Sequence, residues 1–330
     1  IRMISASMSG PAAPKASTPI WWNWQWRPRW GRSLRNIGPT YHRRSGVCCR
    51  RPFCSTARTQ PAVPSGRSVR LSPFLALYYY GFNTQAPFVD DVRVRRALSA
   101  SIDRQGLIDN VLKGGQRPAQ WFAYPGIAGA PTMDDHPDLG IKFDVAAANK
   151  DLDAYLAEKG LTKDKVDITL MFNTSSGHQK IAEAIQQMWK TNLGIDVKLA
   201  NQEWKVFLKT IRDPKGTPQI YRLGWCMDYA DANNFDREVF AKGGSANPSE
   251  GGGINWKNDK FEELVKQAAV ELDAAKRVDL YAQAEQILVY DDAAMAPIYW
   301  YTRNTATKPY VQRTFSVSGH EALEKWDITK

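Results

Sequence analysis

A chain of 330 residues with 43% hydrophobic and 11% aromatic content has enough apolar material for a sizeable core, which excludes a disordered polymer. Its formal charge of +10 invites an anionic partner such as nucleic acid, but the charge is unevenly placed. Residues 1–74 hold 13 of the 44 Lys and Arg and no Asp or Glu, which leaves 31 basic against 34 acidic residues, a net of −3, in the remainder. Any nucleic-acid role therefore rests wholly on the first 74 residues.

The cysteines divide in the same way. Cys48, Cys49 and Cys54 lie in the basic segment and Cys226 stands alone, so no disulfide is expected inside the later region. No apolar run reaches the ~18 residues that a membrane-spanning helix needs. The chain does not open with the charged-then-apolar pattern of a secretory leader.

The basic segment carries Trp21, Trp22, Trp24, Trp26 and Trp30 among scattered Arg, Pro, Ser and Gly, and sustains neither a helical nor a strand period. An Arg-rich targeting peptide, a nucleic-acid-binding arm with Trp to stack on bases, and an out-of-frame translation all fit parts of this composition. The last fits most of it, and the segment is expected to be unstructured.

From Leu75 the texture changes. Tyr78–Phe82 reads as an aromatic strand, closed by the turn-prone Asn83-Thr84-Gln85-Ala86-Pro87. Asp91 is placed to cap a single helix from Val92 to Leu112, stopped by Gly114-Gly115. A Pro- and Gly-rich surface loop is expected from Pro118 to Pro137. The spacing predicts a helix over 146–159, a strand over 166–172, a helix over 177–192 and a strand over 195–199, which makes a β-α-β unit. A helix over 203–212 and a strand over 219–225 follow, then helices over 259–272 and from Asp273 to Tyr290. Two further strands are expected at 294–301 and 306–311. The class is α/β with a mixed sheet flanked by helices, and no internal repeat is visible.

Enzyme signatures are missing. There is no G-x-S-x-G elbow, no H-E-x-x-H and no Walker loop. His42, His136, His178 and His320 never fall at metal-ligand spacing, so no metal is expected. Asp228, Asp231 and Asp236 lack the glycine and bidentate glutamate of a calcium loop. Gly251-Gly252-Gly253 reads as a flexible surface loop. No cofactor is implied.

Six stretches, in order, carry a resemblance. They are Tyr78-Tyr79-Tyr80-Gly81-Phe82-Asn83, Phe88 to Leu98, Phe172-Asn173-Thr174-Ser175-Ser176-Gly177-His178, Asn201-Gln202-Glu203-Trp204-Lys205, Arg222 to Tyr229, and Ala296 to Tyr301 followed by Lys308-Pro309-Tyr310-Val311. Together they resemble the oligopeptide-binding proteins of bacterial ABC importers, a solute-binding family that also takes dipeptides and nickel. The resemblance implies a two-lobed periplasmic binding protein of the peptide-binding type that closes over its ligand. It places residues 75–312 as the C-terminal, substrate-binding lobe and 313–330 as a tail returning to a first lobe missing from this chain. The implied partners are an oligopeptide ligand and the membrane permease subunits of an importer, with no nucleic acid, for a monomer at the extracytoplasmic face of the membrane. Nickel, haem or a sugar is the alternative ligand within the same family.

The resemblance also assigns roles. Asp228 matches the position that salt-bridges a peptide's N-terminal ammonium, where a carboxylate in a dry cleft is far stronger than in water. Arg222 and His178 match positions that meet the ligand's C-terminal carboxylate. Trp225, Cys226 and Tyr229 are expected to wall the pocket, with Cys226 as a packed thiol. Trp204 and Trp300 are expected in the core. A further family arginine has no counterpart, because Ile211 holds its position and Arg212 lies one residue on. By residue type alone, Asp228 could equally be a turn aspartate, Arg222 a solvent-facing strand residue and His178 a surface histidine.

Overall fold

The computed structural model describes residues 68–317 and 321–329, so the expectations for 1–67, including Cys48, Cys49, Cys54 and His42, and that for His320 lie outside the described residues. β1 (Ser68–Phe82) opens this region. It begins inside the segment expected to be unstructured and pairs along that stretch with the last strand of the main sheet.

α1 (Val92–Ala100) is capped as expected, with the Asp91 side chain accepting from the Arg93 N–H. It does not run on to Leu112. Asp103 caps a new short helix, α2 (Arg104–Leu107), by accepting from the Gly106 N–H at 2.8 Å, and α2 continues as a π-helical turn over Ile108–Leu112. The break is held by the buried Arg104, which donates to the carbonyls of Pro297 (2.6 Å), Ser99 (3.1 Å) and Ile102 (3.2 Å). Periodicity alone did not register Asp103 as a cap in mid-pattern.

β2 (Arg117–Pro118) leads into the expected surface loop, which is instead partly core. Trp121, Phe122, Ala123 and Tyr124 are all buried, and the Glu285 carboxylate accepts from the backbone N–H of Phe122 (2.9 Å) and Ala123 (2.5 Å). A loop can be buried only if its backbone donors find partners, and here a buried glutamate supplies them.

α3 (Val145–Lys159) ends at Gly160 and α4 (Ser176–Leu193) at Gly194, both glycines with positive φ, as the sequence predicts. Between and after them lie β3 (Ile168–Asn173) and β4 (Val197–Gln202), parallel neighbours that complete the expected β-α-β unit. α5 (Trp204–Thr210) is capped by Glu203 and precedes β5 (Ile220–Cys226). α6 (Ala232–Phe240) follows at once, in a stretch where no helix was expected. Asp231 caps it, and Ala232, Phe235 and Val239 give it a buried stripe.

The Gly251-Gly252-Gly253 segment is not a flexible surface loop. All three have positive φ, Gly252 and Gly253 are buried, and a Cβ on Gly253 would lie 2.1 Å from the Ala246 carbonyl oxygen. α7 (Asp259–Val270) and α8 (Ala274–Gln286) are separated by the Asp273 cap, and α8 runs on as a π-helical turn to Asp291. β6 (Met295–Thr307) is one strand rather than two, because its second half pairs with Ser68–Pro73 across the expected domain boundary. β7 (Val311–Gln312) and β8 (Asp327–Ile328) form a small local pair.

The main sheet has the order β2-β6-β1-β5-β3-β4. β3 is parallel to β4 and β5, while β1 is antiparallel to β5 and β6. Strand alternation sends Tyr78, Tyr80 and Ile220 into the core under α1, α3 and α4. Leu77, Tyr79 and Tyr221 go to the opposite core, with Phe235, Val265 and Tyr281 from α6, α7 and α8. The sheet is therefore covered on both faces.

Candidate functional site

β3 and β5 run in the same direction and end side by side, and ligands of open α/β sheets bind beyond such carboxyl ends. The predicted site residues sit there in two groups.

Arg222 forms the first. It is only 8% exposed, so it is not the solvent-facing strand residue its type alone allowed. Its backbone is opposite Tyr80, and its guanidinium lies over the ring of Tyr78 at 4.4 Å. It donates to Asn173 Oδ1 at 3.2 Å and to the Tyr301 hydroxyl at 3.1 Å, while its Nε–H has no partner. Among the described residues no carboxylate pairs with it. Gly224 stands directly opposite Tyr78, where an added Cβ would lie 3.0 Å from the Leu77 carbonyl oxygen and in ordinary contact with Arg222 Nη2.

His178, in the first turn of α4, packs against the same tyrosine cluster, its ring 5.6 Å from that of Tyr78. Burial, and then the positive charge of Arg222, lower its imidazole to about 4, so it is neutral at pH 7. Its Nδ1 is buried without a hydrogen-bond partner. Burial also raises the Tyr78 hydroxyl above the usual tyrosine range, against the opposing pull of Arg222. The first group is thus a cation packed among aromatic rings, with one neutral imidazole beside it.

The second group is organised from α6. Asp228 lies just beyond β5 and is exposed; among the described residues it has no cationic partner. Its N–H donates to Asn234 Oδ1 at 2.9 Å, and its Oδ2 accepts from Asn234 Nδ2 at 3.2 Å. Trp225 packs its ring on the α6–α8 core and donates from Nε1 to the same Asn234 oxygen at 3.2 Å. Tyr229 is 43% exposed; its hydroxyl donates to Glu238 Oε1 at 2.5 Å.

Trp225 and Arg222 point to opposite faces of the sheet, so Trp225 walls the Asp228 end and not the arginine end. Cys226 ends β5 exposed rather than packed, although partial burial still raises its thiol above the ordinary range. Trp300 is buried as expected, edge-on to Trp121 at 5.3 Å between ring centroids. Trp204 is not in the core: it is 41% exposed at the start of α5, stacked on Phe207. Ile211 is buried and Arg212 exposed. Sequence reasoning missed Asn173, Tyr78, Tyr301, Gly224 and Asn234. The helical stripe behind Asp231 was the one available signal for Asn234.

The described residues contain no helix long and apolar enough to cross a membrane and no cluster of three or more metal-ligating side chains. A model of the bacterial extracellular solute-binding proteins, family 5 (Middle), matches residues 55–247. The oligopeptide-binding protein OppA of Bacillus subtilis is 38% identical over 245 residues, covering 73% of this chain and 43% of the relative. The periplasmic murein peptide-binding protein MppA of Escherichia coli is 36% identical over 241 residues, with 73% and 43% covered. The solved structure of E. coli MppA matches with a TM-score of 0.64 at 35% identity, over 76% of this chain and 47% of that one. Haemophilus influenzae OppA in complex with the peptide RPPGFSPFR matches at 0.66 and 30%, over 79% and 50%. The chain thus spans less than half the length of the curated relatives named here. With more than half of its own residues under the family model and its mixed sheet superposing on these proteins, the chain belongs to the bacterial extracellular solute-binding proteins of family 5.

Proposed function

We propose that the protein of which this chain forms a lobe captures short peptides outside the cytoplasm and delivers them to the permease of an ABC importer. It acts as a monomeric binding protein held near the membrane, without catalysis. Relatives named for oligopeptide and murein peptide binding support the ligand class.

One observation carries the reading. Within one strand and just past its end, a buried guanidinium without an anionic partner and an exposed carboxylate without a cationic one lie six residues apart among the described residues. Burying an unpaired charge is costly, and a ligand carboxylate at Arg222 would offset that cost. Neutral His178, with its unpartnered Nδ1, stands beside the same position. At the usual rise of ~3.3 Å per residue, β5 carries the chain about 13 Å from Arg222 to Cys226, and Asp228 lies past that end, so the two charges are set apart as the two ends of a short extended peptide are. Asp228 then takes the ammonium and Arg222 the carboxylate.

The test is calorimetry with trialanine and tetra-alanine on a protein carrying both lobes. Asp228→Ala should weaken binding by about 2–5 kcal/mol, the scale for losing one partner of a desolvated charge pair. N-acetylation of the peptide should cost a similar amount and add nothing further in the variant. Unchanged affinity in Asp228→Ala would remove the anchoring role.

A further inference from the structure

Asn234 is fully buried on the first turn of α6, yet three of its four amide contacts go to residues at the end of β5, and the fourth to Glu238 one turn along the same helix. Its Oδ1 accepts from the Asp228 N–H (2.9 Å) and from Trp225 Nε1–H (3.2 Å). Its Nδ2 donates to Asp228 Oδ2 (3.2 Å) and to Glu238 Oε2 (2.8 Å). Both ends of the amide are therefore used, and in only one orientation. A flipped amide would set its oxygen against two carboxylates and its NH2 against two N–H donors.

We infer that Asn234 is the positioning residue of the site: it fixes the side-chain rotamer of Asp228 and ties that carboxylate to the Trp225 wall. The inference rests on the reading of Asp228 as the ammonium anchor. A carboxylate beyond the end of a strand has free rotation about its Cα–Cβ bond unless something holds it. Asn234 holds both the backbone and one oxygen of Asp228, which leaves Oδ1 to face a ligand. The amide also bridges Asp228 to Glu238, whose other oxygen accepts from the Tyr229 hydroxyl. Two carboxylates can share that neutral donor, whereas a third carboxylate in its place would repel both. α6 is itself fixed, because Asp231 at its cap pairs with Arg277 at 2.7 and 2.9 Å. The helix missed in the sequence thereby becomes the mount of the anchor.

The test measures three-bond couplings about the Cα–Cβ bond of Asp228 by NMR in the isotopically labelled 330-residue chain. In the native protein one staggered rotamer should dominate. Asn234→Ala should average Asp228 over the staggered wells and speed exchange of the Trp225 indole N–H at least tenfold, with cooperative thermal unfolding retained. Asn234→Leu keeps the volume of the amide but removes donor and acceptor without adding a charge. It should likewise release Asp228 from its native rotamer while cooperative unfolding is retained, and it serves if the alanine variant fails to fold. A single Asp228 rotamer that survives both substitutions, or one already averaged in the native chain, overturns the inference. The measurement uses no ligand, so a failure of the ammonium reading appears separately, as unchanged peptide affinity in Asp228→Ala.

Discussion

The guanidinium of Arg222, on β5, rests on the ring of Tyr78, on the neighbouring strand β1, at 4.4 Å. The charge is held by an aromatic face, an amide and a phenol, and by no carboxylate. Such an arrangement keeps a cation available for an incoming anion at the expense of stability.

That cost is measurable. Arg222→Met, similar in volume and without charge, should leave the thermal midpoint unchanged or raise it, by about 1–2 kcal/mol in unfolding free energy, since apolar replacement of buried charges is often stabilising. Peptide binding by the two-lobed protein should fall in the same variant. A large drop in the melting temperature would show that Arg222 is a structural residue.

His178 makes stability depend on acid. Its folded value of about 4 lies below the ordinary 6.5, so between those values the unfolded chain binds more protons than the native one. Stability therefore rises with pH across that window and is lost as pH falls from 6.5 toward 4. His178→Gln should reduce the difference between urea midpoints at pH 7 and pH 4.5. Equal differences in both proteins would place the acid sensitivity elsewhere.

Asp236 and Glu285 make the opposite dependence. Both are fully buried, and burial followed by the negative charge of Glu285 holds the Asp236 carboxyl well above the usual carboxylate range. The native state holds a proton that the unfolded chain releases, and stability falls as pH rises above ~4. Asp236→Asn, which removes the titrating carboxyl beside Glu285, should raise the melting temperature at pH 8, and the gain should shrink toward pH 4. Glu285→Ala should cost about 3 kcal/mol, because it orphans the Phe122 and Ala123 N–H groups.

Gly253→Ala tests the packed glycine segment. With φ at +61° and a carbonyl oxygen 2.1 Å from the added Cβ, it should lower stability by about 2 kcal/mol or more, read as a shift of the urea midpoint. An exposed, flexible loop would tolerate the change.

Most of the fold was legible because its signals are local. Gly160 and Gly194 stop helices through positive φ, Asp91 and Asp273 start them, and alternation marks β3. The failures share a different cause, which is dependence on distant partners. β6 is continuous only because Ser68–Pro73 pairs with its second half, and the Trp121–Tyr124 loop is buried only because Glu285 satisfies it. In the site, Arg222 and His178 came from the family resemblance, and the structure places both against Tyr78. Asn234 carried a turn-former's identity, and only the fold shows its amide beneath Asp228.

The alternation of β5 has one more consequence. Arg222 and Trp225 face opposite helical layers, so a ligand touching both ends of the site must lie across the rim of the sheet, outside either core. On the proposed reading, the two charges then act as marks on a ruler graduated in residues of the chain itself. Repacking either core would change how firmly a ligand is held while leaving the preferred length alone. Inserting one residue between Cys226 and Asp228 would shift that length instead.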